Sequence, residues 1–175
     1  AAQVAGLADY PVFTRKVATD VSYLACARKL LAAEDVIYPS FATHNANTIG
    51  QVKALGHGRK FEFQRLHGMG EARYAELGRL ERHVGDEPTR VRIYAPVGSH
   101  KELLAYLVRR LLENGANSSF VNRIADDEVE LEELVRDPVA ELAALSVKRN
   151  PSIVLPTEIF GSERRNSAGV DLSDP

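Results

Sequence analysis

The sequence predicts an α/β fold of the (β/α)₈ TIM-type barrel kind, with about four βα units present. Three observations carry this. Short apolar strands alternate with helices four times across short linkers, the signature of a parallel sheet with helical crossovers. Polar residues bunch just after the strands, at Thr14-Arg15-Lys16, Thr43-His44-Asn45, His67-Gly68 and Tyr94. In a (β/α)₈ barrel that end carries the active site. No Gly-x-Gly-x-x-Gly follows any strand, which counts against a dinucleotide-binding open sheet. The alternation alone fits a barrel and an open doubly wound sheet equally.

Residues 10–14 (Tyr-Pro-Val-Phe-Thr) read as a short strand. Residues 18–33 follow with helical spacing through Val21, Leu24, Ala25, Ala27, Leu30 and Leu31. Residues 36–43 read as a buried strand, with Pro39 as a reservation because it lacks a ladder donor. His44-Asn45-Ala46-Asn47-Thr48 opens a helix that runs to about Ala54 and ends at Gly56. A third strand spans 61–66, Gly68-Met69-Gly70 makes a turn, and 71–83 form a charged helix. A fourth strand spans 91–95 and Pro96-Val97-Gly98 turns the chain. Ser99 caps a long helix over 100–114, which Gly115 stops.

Past Asn117 the pattern changes. Residues 118–121 read as one more short extended piece, and 127–147 as an acidic helical stretch with Leu131, Leu134, Val139, Leu142 and Leu145. Residues 150–175, with Pro151, Pro156, Gly161, Gly169 and Pro175, read as a linker. The expected organisation is a barrel half over 1–126, an acidic helical segment over 127–149 and a linker over 150–175.

Composition is that of an ordinary globular domain: 175 residues, 45% hydrophobic and 26% charged. A net charge of -2 lacks the basic surplus of a nucleic-acid-binding surface. Cys26 is the only cysteine, so no intrachain disulfide forms and a reducing, cytoplasmic compartment fits. It sits among apolar helical residues and reads as packed rather than reactive. No apolar run approaches the roughly 20 residues needed to span a bilayer. The chain starts Ala-Ala-Gln rather than with Met, as an excised piece would. The five histidines show no metal-ligand spacing, and neither a Cys-x-x-Cys nor an Asp-rich loop occurs, so no metal is expected. Ser22, Ser40 and Ser99 lack the context of an activated nucleophile.

The helix over 100–114 carries the sharpest chemical pattern. At about 100° per residue, Leu103, Leu104, Leu107, Val108, Leu111 and Leu112 cover one half of the wheel. Tyr106, Arg109, Arg110 and Glu113 share a narrow arc on the other half. Two guanidinium groups beside a tyrosine can hold a carboxylate through paired donors of fixed geometry. The same four residues also read as a solvated face with Arg–Glu pairs at helical spacing. Thr43-His44-Asn45 can meet an anion or a polar ring edge through side chains and free N–H groups, or simply cap the helix. Thr14-Arg15-Lys16 reads as phosphate-binding or as a solvated loop. From the residues alone the chain is half a barrel with anion-binding groups at one end, and no substrate follows.

Several long stretches carry a family resemblance. They are Tyr-Pro-Val-Phe-Thr-Arg-Lys at 10–16, Asp-Val-Ser-Tyr-Leu-Ala-Cys-Ala at 20–27 and Phe-Ala-Thr-His-Asn-Ala at 41–46. Phe-Glu-Phe-Gln-Arg-Leu-His-Gly-Met-Gly-Glu at 61–71, Arg-Ile-Tyr-Ala-Pro-Val-Gly at 92–98 and Tyr-Leu-Val-Arg-Arg-Leu-Leu-Glu within 103–117 continue the set. Ser-Phe-Val-Asn-Arg-Ile-Ala-Asp at 119–126 closes it. Together they resemble the flavin-dependent proline dehydrogenase domain of the bacterial bifunctional proline utilization A family. Arg-Arg-Asn-Ser-Ala-Gly-Val-Asp-Leu at 164–172 resembles the segment leading into that family's aldehyde dehydrogenase domain.

The resemblance implies the C-terminal half of a distorted barrel holding FAD. It implies hydride transfer from proline C5 to flavin N5, release of Δ1-pyrroline-5-carboxylate, and electrons passed to a membrane quinone. By matching position, Arg109 and Arg110 grip the proline carboxylate, Tyr94 and Tyr106 close over the substrate ring, and Leu66 is an apolar wall. Thr14, Lys16, Thr43, His44, Asn45 and Gln64 match flavin-side positions, and Glu113 and Phe120 match positions near the cofactor. Neither a nucleophile nor a metal is required by such chemistry. The N-terminal barrel half and the aldehyde dehydrogenase domain have no counterpart in this segment, so the isolated chain is expected to be inactive. The parent is expected in the cytoplasm, peripheral at the inner membrane, and no nucleic-acid contact is expected of this segment. Two other readings stay open: a non-flavin barrel enzyme acting on a small carboxylate or phosphate, and a fragment that folds only against its partner half.

Overall fold

A computed structural model describes residues 6–115, 130–166 and 169. The chain divides into two compact units, one of residues 22–136 and one of 1–21 with 137–175. The division falls within the first helix, α1 (Lys16–Ala32).

In the larger unit, three parallel strands are ordered β1 (Ser40–Ala42), β2 (Glu62–Leu66) and β3 (Arg90–Tyr94). They alternate with α2 (Ala46–Leu55), α3 (Glu71–Val84) and α4 (His100–Gly115). The register pairs Ala42 with Gln64, Gln64 with Arg92 and Leu66 with Tyr94. Side chains alternate between the two faces of a strand, so Phe41 and Phe63 point one way. With Phe61 they make an edge-on aromatic row, with centroids 5.8 and 5.4 Å apart. Ala27 and Leu31 of α1, Ile49 and Val52 of α2 and Tyr74 of α3 pack onto that row. A fully buried side chain such as Phe63 or Leu31 contributes roughly 1.5–3 kcal/mol. The opposite face carries Ser40, Glu62, Gln64, Leu66, Arg92 and Tyr94.

Several expectations shift. Residues 10–14 form bends and no strand, so the described residues hold three strand–helix units rather than four. Pro11 has no N–H to donate, and the polar groups here bond within the smaller unit: the Tyr10 hydroxyl donates to the Val154 carbonyl at 2.7 Å. The strand expected over 36–43 forms only at Ser40–Ala42. Val36 and Ile37 turn their N–H groups back to the Ala33 carbonyl, and Pro39 takes part only through its carbonyl, which accepts from Glu62 N–H at 3.0 Å. Cys26 is exposed, one residue round the helix from buried Ala27.

Within the acidic stretch the described residues form two short helices, α5 (Leu131–Leu134) and α6 (Pro138–Ala144). Pro138 cannot continue a helix but starts one well, and the Asp137 side chain accepts from Val139 N–H at 2.9 Å. Residues 150–166 include a 3₁₀ turn (Pro156–Glu158). The expected extended piece at 118–121 and the expected boundary after 126 lie outside the described residues.

Candidate functional site

The C-terminal ends of the three strands bring most of the expected site residues of the larger unit into one neighbourhood. Leu66 ends β2 and Tyr94 ends β3 as a register pair, and His67 N–H donates to the Tyr94 carbonyl at 2.8 Å. Leu66 is buried, while Tyr94 is 37% exposed. Gln64 lies two residues back on the same face, half-buried. Thr43, His44 and Asn45 follow β1.

Two of these three spend their side-chain oxygens on the backbone. The Asn45 side chain accepts from Asn47 and Thr48 N–H at 2.9 and 3.4 Å, and the Thr43 hydroxyl accepts from Asn45 N–H at 3.1 Å. The N–H groups expected to be free for an anion are therefore partly capped. The Asn45 amide hydrogens and the Thr43 hydroxyl hydrogen are not consumed by these bonds.

His44 takes up the ladder position that β1 vacates. Leu66 N–H donates to its Nε2 at 3.4 Å, which puts the proton of the neutral ring on Nδ1. Burial holds its pKa below the usual histidine value, and the charges of Arg73, Arg65 and Arg110 push the same way. Arg73 anchors its backbone by donating to the His44 carbonyl at 2.9 Å, and the Tyr74 hydroxyl donates to the Thr43 carbonyl at 2.7 Å.

The orientation of α4 is the reverse of a solvated polar face. Leu104, Leu107, Val108, Leu111 and Leu112 are all exposed, while Tyr106 and Arg110 are half-buried. The Arg110 guanidinium lies over the Tyr106 ring, 5.3 Å from its centroid. The Tyr106 hydroxyl is buried with no hydrogen-bond partner among the described residues. A buried hydroxyl without a protein partner is costly, and a ligand oxygen beside Arg110 would satisfy it. Arg109 points to the exposed side. The helix start is closed by Glu102, which accepts from Ser99 N–H at 2.8 Å. The Glu113 side chain and Phe120 lie outside the described residues.

Thr14 and Lys16 belong to the smaller unit. The Thr14 hydroxyl accepts from Asn150 N–H at 2.8 Å, and Lys16 Nζ pairs with Asp20 one turn along α1 at 2.6 Å. Among the described residues no group of three or more His, Cys, Asp or Glu gathers as a metal site.

The residues present fit a small carboxylate lying beside a planar, polar ring system. Arg110 and the unpartnered Tyr106 hydroxyl suit the carboxylate. Gln64 and the N–H of His44 suit the polar edge of a ring such as the flavin of FAD. Four supporting residues were missed in the sequence: Arg65, Arg73, Glu62 and Arg92. Glu62 is 1% exposed and accepts two hydrogen bonds from Arg92, through Nε at 2.5 Å and Nη2 at 2.9 Å. The available signal was the period-two placement of Glu62 with Gln64, and of Arg92 with Tyr94, on one face of neighbouring strands.

A family model described as Proline dehydrogenase matches residues 1–123. Over 184 residues the chain is 54% identical to the Bifunctional protein PutA of Klebsiella aerogenes, covering 99% of this chain and 14% of the relative. It is 52% identical to the Bifunctional protein PutA of Rhizobium meliloti over 183 residues, with the same coverage. A crystal structure of bifunctional proline utilization A (PutA) protein superposes with a TM-score of 0.87 at 53% identity, covering 97% of this chain and 17% of that one. The chain thus spans 14% of the length of the relatives it matches.

Proposed function

The chain belongs to the proline dehydrogenase family, and from that premise we propose that it is part of an FAD-dependent enzyme oxidising L-proline to Δ1-pyrroline-5-carboxylate. The observation that carries this reading is the inward turn of α4: Arg110 stacked on Tyr106, with the buried tyrosine hydroxyl unpartnered among the described residues. A helix that exposes five apolar residues and keeps an arginine and a tyrosine inward supports a ligand beside the tyrosine hydroxyl.

In this reading Arg110 binds the proline carboxylate through charge-assisted hydrogen bonds, and Arg109, which the resemblance pairs with it, stands on the exposed side of the same helix. The substrate ring rests against Leu66 and Tyr94 at the strand ends, with Tyr106 closing the site. Fixing the carboxylate fixes where C5 lies, so the chain contributes positioning rather than a reacting group. FAD, when bound, supplies the hydride acceptor. Leu66 and the aromatic rings exclude water from C5. His44, kept neutral, offers Nδ1–H to the cofactor, and Gln64 offers its amide; Thr43 and Asn45 complete the flavin-side set within this unit. The rest of the barrel comes from the parent, a (β/α)₈ enzyme with an aldehyde dehydrogenase domain that consumes the product.

By the same resemblance, bound FAD would supply the route for electrons onward to a membrane quinone, with the enzyme in the cytoplasm and peripheral at the membrane. Among the described residues no helix is long and apolar enough to cross a membrane. The test is purification of the full-length protein, release and identification of its flavin, and trapping of Δ1-pyrroline-5-carboxylate with o-aminobenzaldehyde during turnover. A protein without flavin, or one that forms no trapped product from L-proline, overturns the reading.

A further inference from the structure

β1 stops at Ala42, and from there three successive carbonyls are met by side chains. The Tyr23 hydroxyl of α1 donates to the Ala42 carbonyl at 3.2 Å. The Tyr74 hydroxyl of α3 donates to the Thr43 carbonyl at 2.7 Å, and Arg73 Nη1 donates to the His44 carbonyl at 2.9 Å. Tyr74 is 6% exposed and its ring lies 5.7 Å from that of Phe63, so its hydroxyl reaches Thr43 from within the core.

The two bonds from α3 have a geometric consequence. Peptide groups are planar, so the planes on either side of an α-carbon set its φ and ψ. The Thr43 carbonyl belongs to the plane before the His44 α-carbon, and the His44 carbonyl to the plane after it. Tyr74 holds the first plane and Arg73 the second, which fixes the direction in which the His44 side chain leaves the backbone. The ring is held at its far end, where Nε2 accepts from Leu66 N–H at 3.4 Å. Along its edge it lies so close to Gly70 that a Cβ there would stand 2.8 Å from Cδ2. Gly70, Arg73 and Tyr74 fall at i, i+3 and i+4, on one face at the start of α3. These contacts leave Nδ1–H as the ring donor that a ligand can meet. A ligand that had to order a loose imidazole would lose affinity in doing so, and a ring held in advance spares it that cost.

We propose that Arg73 and Tyr74 are positioning residues for the cofactor: by holding the His44 and Thr43 carbonyls, the start of α3 presets the His44 ring so that its Nδ1–H meets the flavin of FAD. This rests on the FAD reading above. Both residues act through His44 rather than on the ligand.

The test is a double-mutant cycle on FAD binding to the full-length apoenzyme, followed by flavin fluorescence. Tyr74→Phe keeps the ring and removes the donor. It is expected to weaken FAD binding by about fivefold, the order of one ordinary hydrogen bond. In a His44→Ala background there is no ring left to aim, and the same substitution is expected to leave the affinity unchanged. Residues that act through one another depart from additivity in this way. Arg73→Met is measured in the same two backgrounds with the same expectation, and it carries the test alone if Tyr74→Phe does not fold. An equal loss in both backgrounds overturns the inference and makes these bonds structural only. A folded Tyr74→Phe or Arg73→Met protein that binds FAD as wild type does also overturns it. A His44→Ala protein with wild-type affinity removes His44 from the flavin side and the inference with it, and leaves the FAD reading standing. A wild type that binds no FAD overturns both.

Discussion

The guanidinium of Arg110 lies 5.3 Å from the centre of the Tyr106 ring, one turn back along α4. Stacking on an aromatic face holds an arginine in place, and the planar guanidinium matches a carboxylate in geometry. Arg110→Met in the full-length enzyme keeps the length of the side chain and removes the charge. The expected result is a proline KM raised by the equivalent of roughly 2–5 kcal/mol of binding, with the flavin still bound. Steady-state kinetics against L-proline measure it, and an unchanged KM removes Arg110 from the site.

Tyr106→Phe separates ligand binding from folding. The hydroxyl has no partner among the described residues, so its loss breaks no hydrogen bond described within the chain. The melting temperature is expected to stay level or rise slightly. The proline KM is expected to rise by the equivalent of about 1 kcal/mol, one ordinary hydrogen bond. A clear fall in melting temperature with an unchanged KM would assign the hydroxyl to structure.

Gly70 and Gly68 form a matched pair for testing how His44 is held. Both are left-handed, with φ of 69° and 79°, so alanine at either position is strained by of order 1 kcal/mol. Only at Gly70 would a new Cβ meet the His44 ring, 2.8 Å from Cδ2, whereas nothing lies within 4 Å at Gly68. Gly70→Ala is expected to lose stability beyond Gly68→Ala and to weaken FAD binding, which Gly68→Ala leaves intact. Equal losses in a paired denaturation and flavin-binding experiment would detach His44 from the cofactor.

Glu62 gives the fold a pH dependence of known sign. The paired Arg92 hydrogen bonds hold its carboxyl down from 4.5 to about 2, against the upward push of burial and with help from Ser40. A carboxyl depressed in the folded state contributes stability that is complete above its unfolded pKa and lost as pH falls through the folded one. The stability gap between wild type and Glu62→Gln is therefore expected to be widest at neutral pH and to narrow between about 4.5 and 2. Chemical denaturation across that window measures it, and a constant gap would mean that the Glu62 carboxyl is not held below its unfolded pKa in the folded protein.

Periodicity located β2, β3 and all four long helices within a residue or two, because their apolar residues recur at the repeat of the backbone and Gly or Pro bounds them. It failed at 10–14 and 36–39, where Pro11 and Pro39 withhold donors and the local polar groups find partners in turns instead. It also left the direction of α4 undecided. A wheel shows two faces of a helix but not which one faces inward, and here the leucine half is exposed. Tyr106, Arg109 and Arg110 stood out because they lie on one helix arc, although only the family resemblance gave them a proposed role. Glu62 and Arg92 did not stand out, since their meeting depends on the register between two strands 28 residues apart at their first residues, Glu62 and Arg90.

The central claim, that this segment grips proline beside a flavin, is tested most directly by adding L-proline to the FAD-loaded full-length enzyme without oxygen. The account predicts loss of the oxidised flavin absorbance near about 450 nm in wild type. It predicts that Arg110→Met needs far more proline for the same loss. A flavin that stays oxidised in wild type, or one that Arg110→Met reduces at the same proline concentration, would contradict it.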